Sequence, residues 1–144
     1  MKILHTVMRP GFGICLFFSQ FLSNRNTFFT DNLYLILLGV VITIAGISLV
    51  LASSTHLVRV KETGLIATSG PFQYIRHPIY TSVYLISTGM GFLFFAWIWF
   101  MVMVVFIPLS WLESKEEEKE MLKKHGEKSV SYQERTKMFI PGVI

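Results

Sequence analysis

Apolar and polar positions along this chain are gathered into long blocks, with little of the short alternation that marks half-buried strands. Residues 33–52 are a run of twenty without a charge, about 30 Å of helix and so about the thickness of a bilayer's hydrocarbon core. The block predicts a transmembrane helix. Gly39, Thr43 and Gly46 recur within it at spacings of four and three, which puts them on one face where a neighbouring helix can approach closely. Residues 79–111 form a second uncharged run, of 33 residues, about 50 Å as one straight helix and longer than ordinary tilt absorbs. It is expected to fold back as a hairpin of two short helices turning between Gly89 and Trp97, and the Gly89-Met90-Gly91 interruption fits such a turn. The alternative is a single long tilted helix that projects from the membrane. Near the N-terminus residues 11–22 are a short uncharged, mostly apolar run, about 18 Å of helix. No small-x-small cleavage site follows them, so an uncleaved first helix starting near Ile3 is preferred to a signal peptide.

Composition agrees with a bilayer environment. Of 144 residues, 52% are hydrophobic and only 15% charged, against about 25% charged in soluble domains; disorder is excluded. The length suits one domain, residues 1–144. A single cysteine, Cys15, excludes an internal disulfide and a cysteine-rich zinc site. The net charge of +4 is explained by membrane borders without nucleic acid. Residues 53–78 carry Arg59, Lys61 and Arg76, the segment after Trp111 carries seven Lys and Arg, and residues 23–32 carry only Arg25. Four spans with both termini cytoplasmic satisfy every loop. The expected fold is therefore an all-α integral membrane helical bundle of about four transmembrane helices with a C-terminal cytosolic amphipathic helix and tail. The two polar segments, 53–78 and 112–144, then meet at the cytoplasmic face.

Those segments hold the candidate chemistry. In Gly70-Pro71-Phe72-Gln73-Tyr74-Ile75-Arg76-His77-Pro78-Ile79-Tyr80, Gly-Pro marks a turn and Pro78 suits the first turn of the next helix. Arg76 and His77 then stand at a helix N-terminus, which attracts anions. The plainer reading makes Arg76 a border charge and Tyr74 and Tyr80 part of an aromatic belt. Further on, Glu113, Glu116, Glu117, Glu118 and Glu120 crowd five carboxylates into eight residues. Local pairs such as Glu120 with Lys124 answer part of that charge. Glu113, Glu116 and Glu120 read as a solvated face, and the helix should end near His125-Gly126.

Together these segments, with Tyr132 and the closing Phe139-Ile140-Pro141, resemble the isoprenylcysteine carboxyl methyltransferase and phospholipid methyltransferase family over about residues 64–141. The resemblance implies a small membrane enzyme that binds S-adenosylmethionine at the cytosolic face and methylates a lipid, prenylated or other apolar acceptor from the bilayer. It maps the cofactor site to Arg76, His77, Pro78, Tyr80, Glu117 and Glu118, with a Gly-x-Gly at Gly89 and Gly91 that reads equally as a packing site. Ser82, His125 and Ser129 depart from the family's usual residues. Methyl transfer from a sulfonium needs no metal; it needs donor and acceptor held in line. In this scheme Arg76 binds the anionic end of the cofactor, a glutamate of the 117/118 pair takes its diol or ammonium, and Tyr74, Phe72 or Tyr80 flanks the adenine or sulfonium. His77 is either a base or proton shuttle or a structural histidine. Two rivals share part of the pattern: an NADPH-dependent sterol-reductase-like enzyme, which would have Asn where Ile79 stands, and a non-catalytic membrane scaffold.

Overall fold

The structure, a computed structural model, describes residues 13–15 and 32–142, the side chains of residues 59 and 61–63 excepted. Apart from residues 13–15, which are helical, the expected first helix lies outside the described residues. Within them the chain is all-helical, with four α-helices: α1 (Leu33–Thr63), α2 (Pro78–Leu93), α3 (Trp97–His125) and α4 (Glu127–Arg135). A 3-10 turn, Gly70–Gln73, lies between α1 and α2.

The polar side chain of Asn32 starts α1 by accepting the Tyr34 N–H at 2.9 Å. Gly64 ends it in the left-handed conformation (φ 65°), its N–H donating to the Val60 carbonyl at 3.0 Å. Between them Leu33–Val58 is long and apolar enough to cross a membrane, and so is Trp97–His125. Large apolar side chains on both face outward, among them Leu37, Val41, Ile44, Leu51, Val104 and Ile107. An outward surface of that kind needs hydrocarbon rather than water around it. The protein is an integral membrane protein.

The 33-residue run does fold back. Phe94, Phe95 and Ala96 make the turn between α2 and α3, so the single projecting helix is ruled out. The glycines do not make it. Gly89 and Gly91 lie inside α2, because glycine there permits close packing where a side chain could not fit. A Cβ on Gly89 would come within 2.7 Å of the Gly39 carbonyl and the Thr43 amide of α1, and one on Gly46 within 2.8 Å of the Ile86 amide. The small-residue face of α1 is thus the α1–α2 seam, the most extensive helix contact in the fold. Gly91 lies against the Phe100 ring, and Phe92 meets Phe100 edge to face at 5.2 Å. Ala96, Trp99 and Met103 form a small core beside them. Hydroxyls in these helices mostly donate to carbonyls one turn back, Thr43 to Gly39 and Thr88 to Tyr84 among them, which satisfies them where water is scarce.

The expected fourth span and C-terminal helix are one continuous helix. α3 runs from the apolar turn through the glutamate cluster to His125, where Gly126 caps it with its N–H on the Leu122 carbonyl at 2.8 Å. Helix α4 then doubles back, and the residues after it reach the segment that precedes α2.

Replacing Gly89 with Ala should force α1 and α2 apart, because the obstructing atoms are backbone. A loss of about 1–3 kcal/mol, read as a lower melting temperature of the detergent-purified protein, is expected; unchanged stability would contradict this packing.

Candidate active site

The loop before α2 is shaped residue by residue. Gly70 has φ 61°, and the imidazole of His56 from α1 fills the space where a Cβ would stand, so glycine is required twice over. His56 Nδ1 lies 2.9 Å from Ser69 Oγ, holding the loop to α1. After the 3-10 turn the backbone extends and pairs with the tail: the Arg76 N–H donates to the Lys137 carbonyl at 2.7 Å and the His77 N–H to the Met138 carbonyl at 3.0 Å. This is a parallel bridge, Ile75 with Lys137. His77 occupies the N-cap of α2 and Pro78 its first turn, as the sequence suggests.

Side chains complete the junction. Arg76 Nε donates to Glu118 Oε1 at 2.6 Å, and its Nη1 donates to the Gln133 carbonyl at 2.9 Å and to the Thr136 carbonyl. Tyr132, buried, donates its hydroxyl to the Phe72 carbonyl at 2.7 Å, and Thr81 Oγ1 donates to the Phe139 carbonyl at 2.9 Å. Burial pushes the Tyr132 phenol up to about 12, the Arg76 charge opposing and the Glu118 charge adding; the phenol stays a donor at any physiological pH.

His77 stands between two carboxylates, Nδ1 at 3.3 Å from Glu117 Oε2 and Nε2 at 3.5 Å from Glu118 Oε1. Burial disfavours its charge, but hydrogen bonding and attraction from Glu117 and Glu118 outweigh that, leaving its pKa above the ordinary 6.5. Tyr80 donates to Glu117 Oε1 at 3.3 Å. The rings of His77, Tyr80 and Phe139 meet mutually at 5.8–6.4 Å. Arg76, His77, Tyr80, Glu117 and Glu118 therefore form one network, although the two groups of residues are about forty apart in sequence.

Beside the network opens a cavity of about 790 Å³, within the range of small-molecule sites. Its wall is apolar at Val83 and Phe106 and polar at His77, Glu117, Lys124 and His125. Arg76, Pro78 and Tyr80 also line it. Glu118 does not; it lies behind, held by Arg76. Tyr74 is exposed and, like Gly89 and Gly91, is not part of the wall. Two expectations are corrected. Arg76 does not point a free guanidinium at an anion, because Glu118 and two tail carbonyls engage it. Glu113 is not on a solvated face: it is 1% exposed and lines the cavity. Its spacing of four from Glu117 was the available signal, since it puts both on one helix face. The counter-charges on α3 come from Lys119 to Glu116 and Lys115 to Glu118 at i,i+3, and not from Glu120 with Lys124. The Tyr84–Ser110 contact at 2.8 Å, which ties α2 to α3 along the wall, carried no sequence signal.

A half-apolar, ionisable cavity next to a charged helix end is the candidate active site of this protein. The sequence from residue 32 to 123, more than half of the chain, matches the isoprenylcysteine carboxyl methyltransferase (ICMT) family. The chain belongs to that family, which makes it a membrane methyltransferase and does not favour the reductase or scaffold readings. Comparison with curated proteins and with solved structures returned no significant match.

The His77 environment gives a pH dependence. Because its pKa in the folded protein lies above 6.5, the stabilisation is fully present below pH 6.5 and is lost as pH rises through the folded-state value. Melting temperature should therefore fall across that window, and His77→Gln should remove this part of the slope. Identical pH profiles for the two proteins would contradict the pairing.

Proposed function

We propose that the cavity binds S-adenosylmethionine at the cytosolic membrane face and that the methyl acceptor is an apolar or lipidated molecule arriving from the bilayer. The supporting observation is the two-ended wall, apolar at Val83 and Phe106 and charged at His77 and Glu117, set where the helical hairpin meets the polar tail. The orientation follows from charge, since the Lys and Arg of residues 53–78 and 112–144 favour the cytoplasmic side.

The residues fit the cofactor's chemistry. A sulfonium and an ammonium suit carboxylate and aromatic neighbours, offered here by Glu117, Tyr80 and Phe72, and the cofactor's carboxylate suits Lys124 and His125 at the polar end. When bound, S-adenosylmethionine supplies an electrophilic methyl group. The protein's own task is positioning, worth about 7–11 kcal/mol when reactants are held at near-attack distance. Glu117 is the direct ligand for a hydroxyl or ammonium donor. His77, placed between the two carboxylates, fixes Glu117 from the other side. Arg76 and Glu118 hold the tail over the site, and Pro78 fixes the start of α2. Gly89 and Gly91 serve the site only through the packing of α2.

The test is titration of S-adenosylmethionine into detergent-purified protein by calorimetry, with NADPH in parallel. Glu117→Gln should weaken binding about tenfold or more, as expected for loss of a charge-assisted hydrogen bond. Binding of neither cofactor by folded protein, or of NADPH alone, would overturn the proposal; so would an unchanged affinity in the variant.

A further inference from the structure

The outward face of α3, turned away from the cavity, changes character at one place. Val104, Pro108, Trp111 and Lys115 follow one another at spacings of four, three and four, so they share a helix face. Val104, Pro108 and Trp111 are exposed, with Met101 and Leu112 exposed beside them, and this apolar strip ends at the half-exposed ammonium of Lys115. Lys115 Nζ lies 5.7 Å from the centre of the Trp111 ring, a cation–π contact. Its counter-charge is shared. Glu118 Oε2 lies 3.5 Å away, but the same carboxylate already takes Arg76 at 2.6 Å and faces His77 at 3.5 Å. The neighbouring Glu116 is taken by Lys119 at 2.6 Å. Lys115 can therefore turn N–H donors outward, at the level where hydrocarbon gives way to head groups.

We infer that Trp111 and Lys115 form a binding site for the head group of an anionic phospholipid, in the leaflet at the charged end of the hairpin. The layering of the face matches that of such a lipid. Along the helix axis Lys115 stands about 6 Å beyond Trp111, and Val104 about 10 Å before it. An acyl chain then lies along Val104 and Pro108, the ester region meets the indole with its N–H donor, and the phosphate reaches Lys115. A phosphate oxygen on the ammonium makes a charge-assisted hydrogen bond, in a layer poorer in water and therefore less screened than bulk solvent. A zwitterionic lipid offers the same phosphate, but its own ammonium competes for it, so a head group with net negative charge is preferred. Neither Trp111 nor Lys115 lines the cavity, so this site does not depend on what the cavity binds.

The test places the full-length protein in phosphatidylcholine nanodiscs doped with the same small fraction of dibrominated phosphatidylglycerol or dibrominated phosphatidylcholine, whose bromines quench tryptophan on contact. Subtracting Trp111→Phe isolates the Trp111 signal from that of Trp97 and Trp99, and total quenching in the wild type and Lys115→Gln reads the same difference without that variant. Phosphatidylglycerol should be enriched about fivefold or more over phosphatidylcholine at Trp111, a difference of about 1 kcal/mol. Lys115→Gln should abolish the enrichment, and Lys123→Gln, about two turns further along α3, should leave it. Equal quenching by the two lipids in the wild type overturns the inference whatever the variants do. Enrichment that survives Lys115→Gln, or that Lys123→Gln removes as completely, also overturns it, by assigning the effect to the basic surface at large. So does enrichment lost on adding inorganic phosphate at constant ionic strength, which would make the pair a site for a soluble anion.

Discussion

The guanidinium of Arg76 carries more of this structure than any other group. It is almost buried, as is its partner Glu118, and two such charges taken out of water cost several kcal/mol each unless their hydrogen-bonding positions are filled. They are filled from three parts of the chain: Nε by a carboxylate on α3, and Nη1 by the carbonyls of Gln133 and Thr136 on and after α4. Those carbonyls are free to accept because α4 ends there, and the last carbonyls of a helix have no partner within it. One side chain thus ties the loop before α2, the charged end of α3 and the tail into a single unit. The tail does not need its own hydrophobic core to be held in place.

The membrane hairpin makes that tie geometrically available. Helices α2 and α3 run antiparallel from the turn at Phe94, Phe95 and Ala96, so the start of α2 and the charged half of α3 return to the same end of the hairpin. The Tyr84–Ser110 contact holds the pair together on the way up, and the glycines of α2 set its distance from α1. His77 and Tyr80 then meet Glu117 one helix away. A cavity polar at one end and apolar at the other is the outcome of this geometry, since α3 is uncharged before Glu113 and charged from Glu113 onward.

Much of this was legible in the sequence because the bilayer imposes simple rules. Uncharged length announced α1 and required the hairpin, Gly126 announced the end of α3, and Pro78 announced the start of α2. The motif around Arg76 and His77 and the pair Glu117 and Glu118 were found as separate patterns, and they do meet. What they do for one another was not legible. A sequence gives Arg76 a charge but not its partner, and the backbone carbonyls that claim it belong to Gln133 and Thr136, residues whose side chains give no hint of the role. The buried Glu113 was missed because a run of glutamates has the look of a solvated face, and only the helix period singles out one member as inward-facing. The turn fell within the expected bounds of Gly89 to Trp97 but not at the glycines, because in a membrane helix glycine serves close packing as readily as it serves a bend.

The placement of the tail depends on Arg76 and Glu118 acting as one unit, and a double-mutant cycle measures that directly. Arg76→Gln, Glu118→Gln and the double variant would be compared with the wild type by thermal unfolding in detergent. Each single change leaves a buried charge without its partner and should be costly, while the double change should be little worse than either, a coupling of about 1–3 kcal/mol. Effects that add within about 0.5 kcal/mol would mean that the two side chains act independently, and the tail would need another explanation for its place over the site.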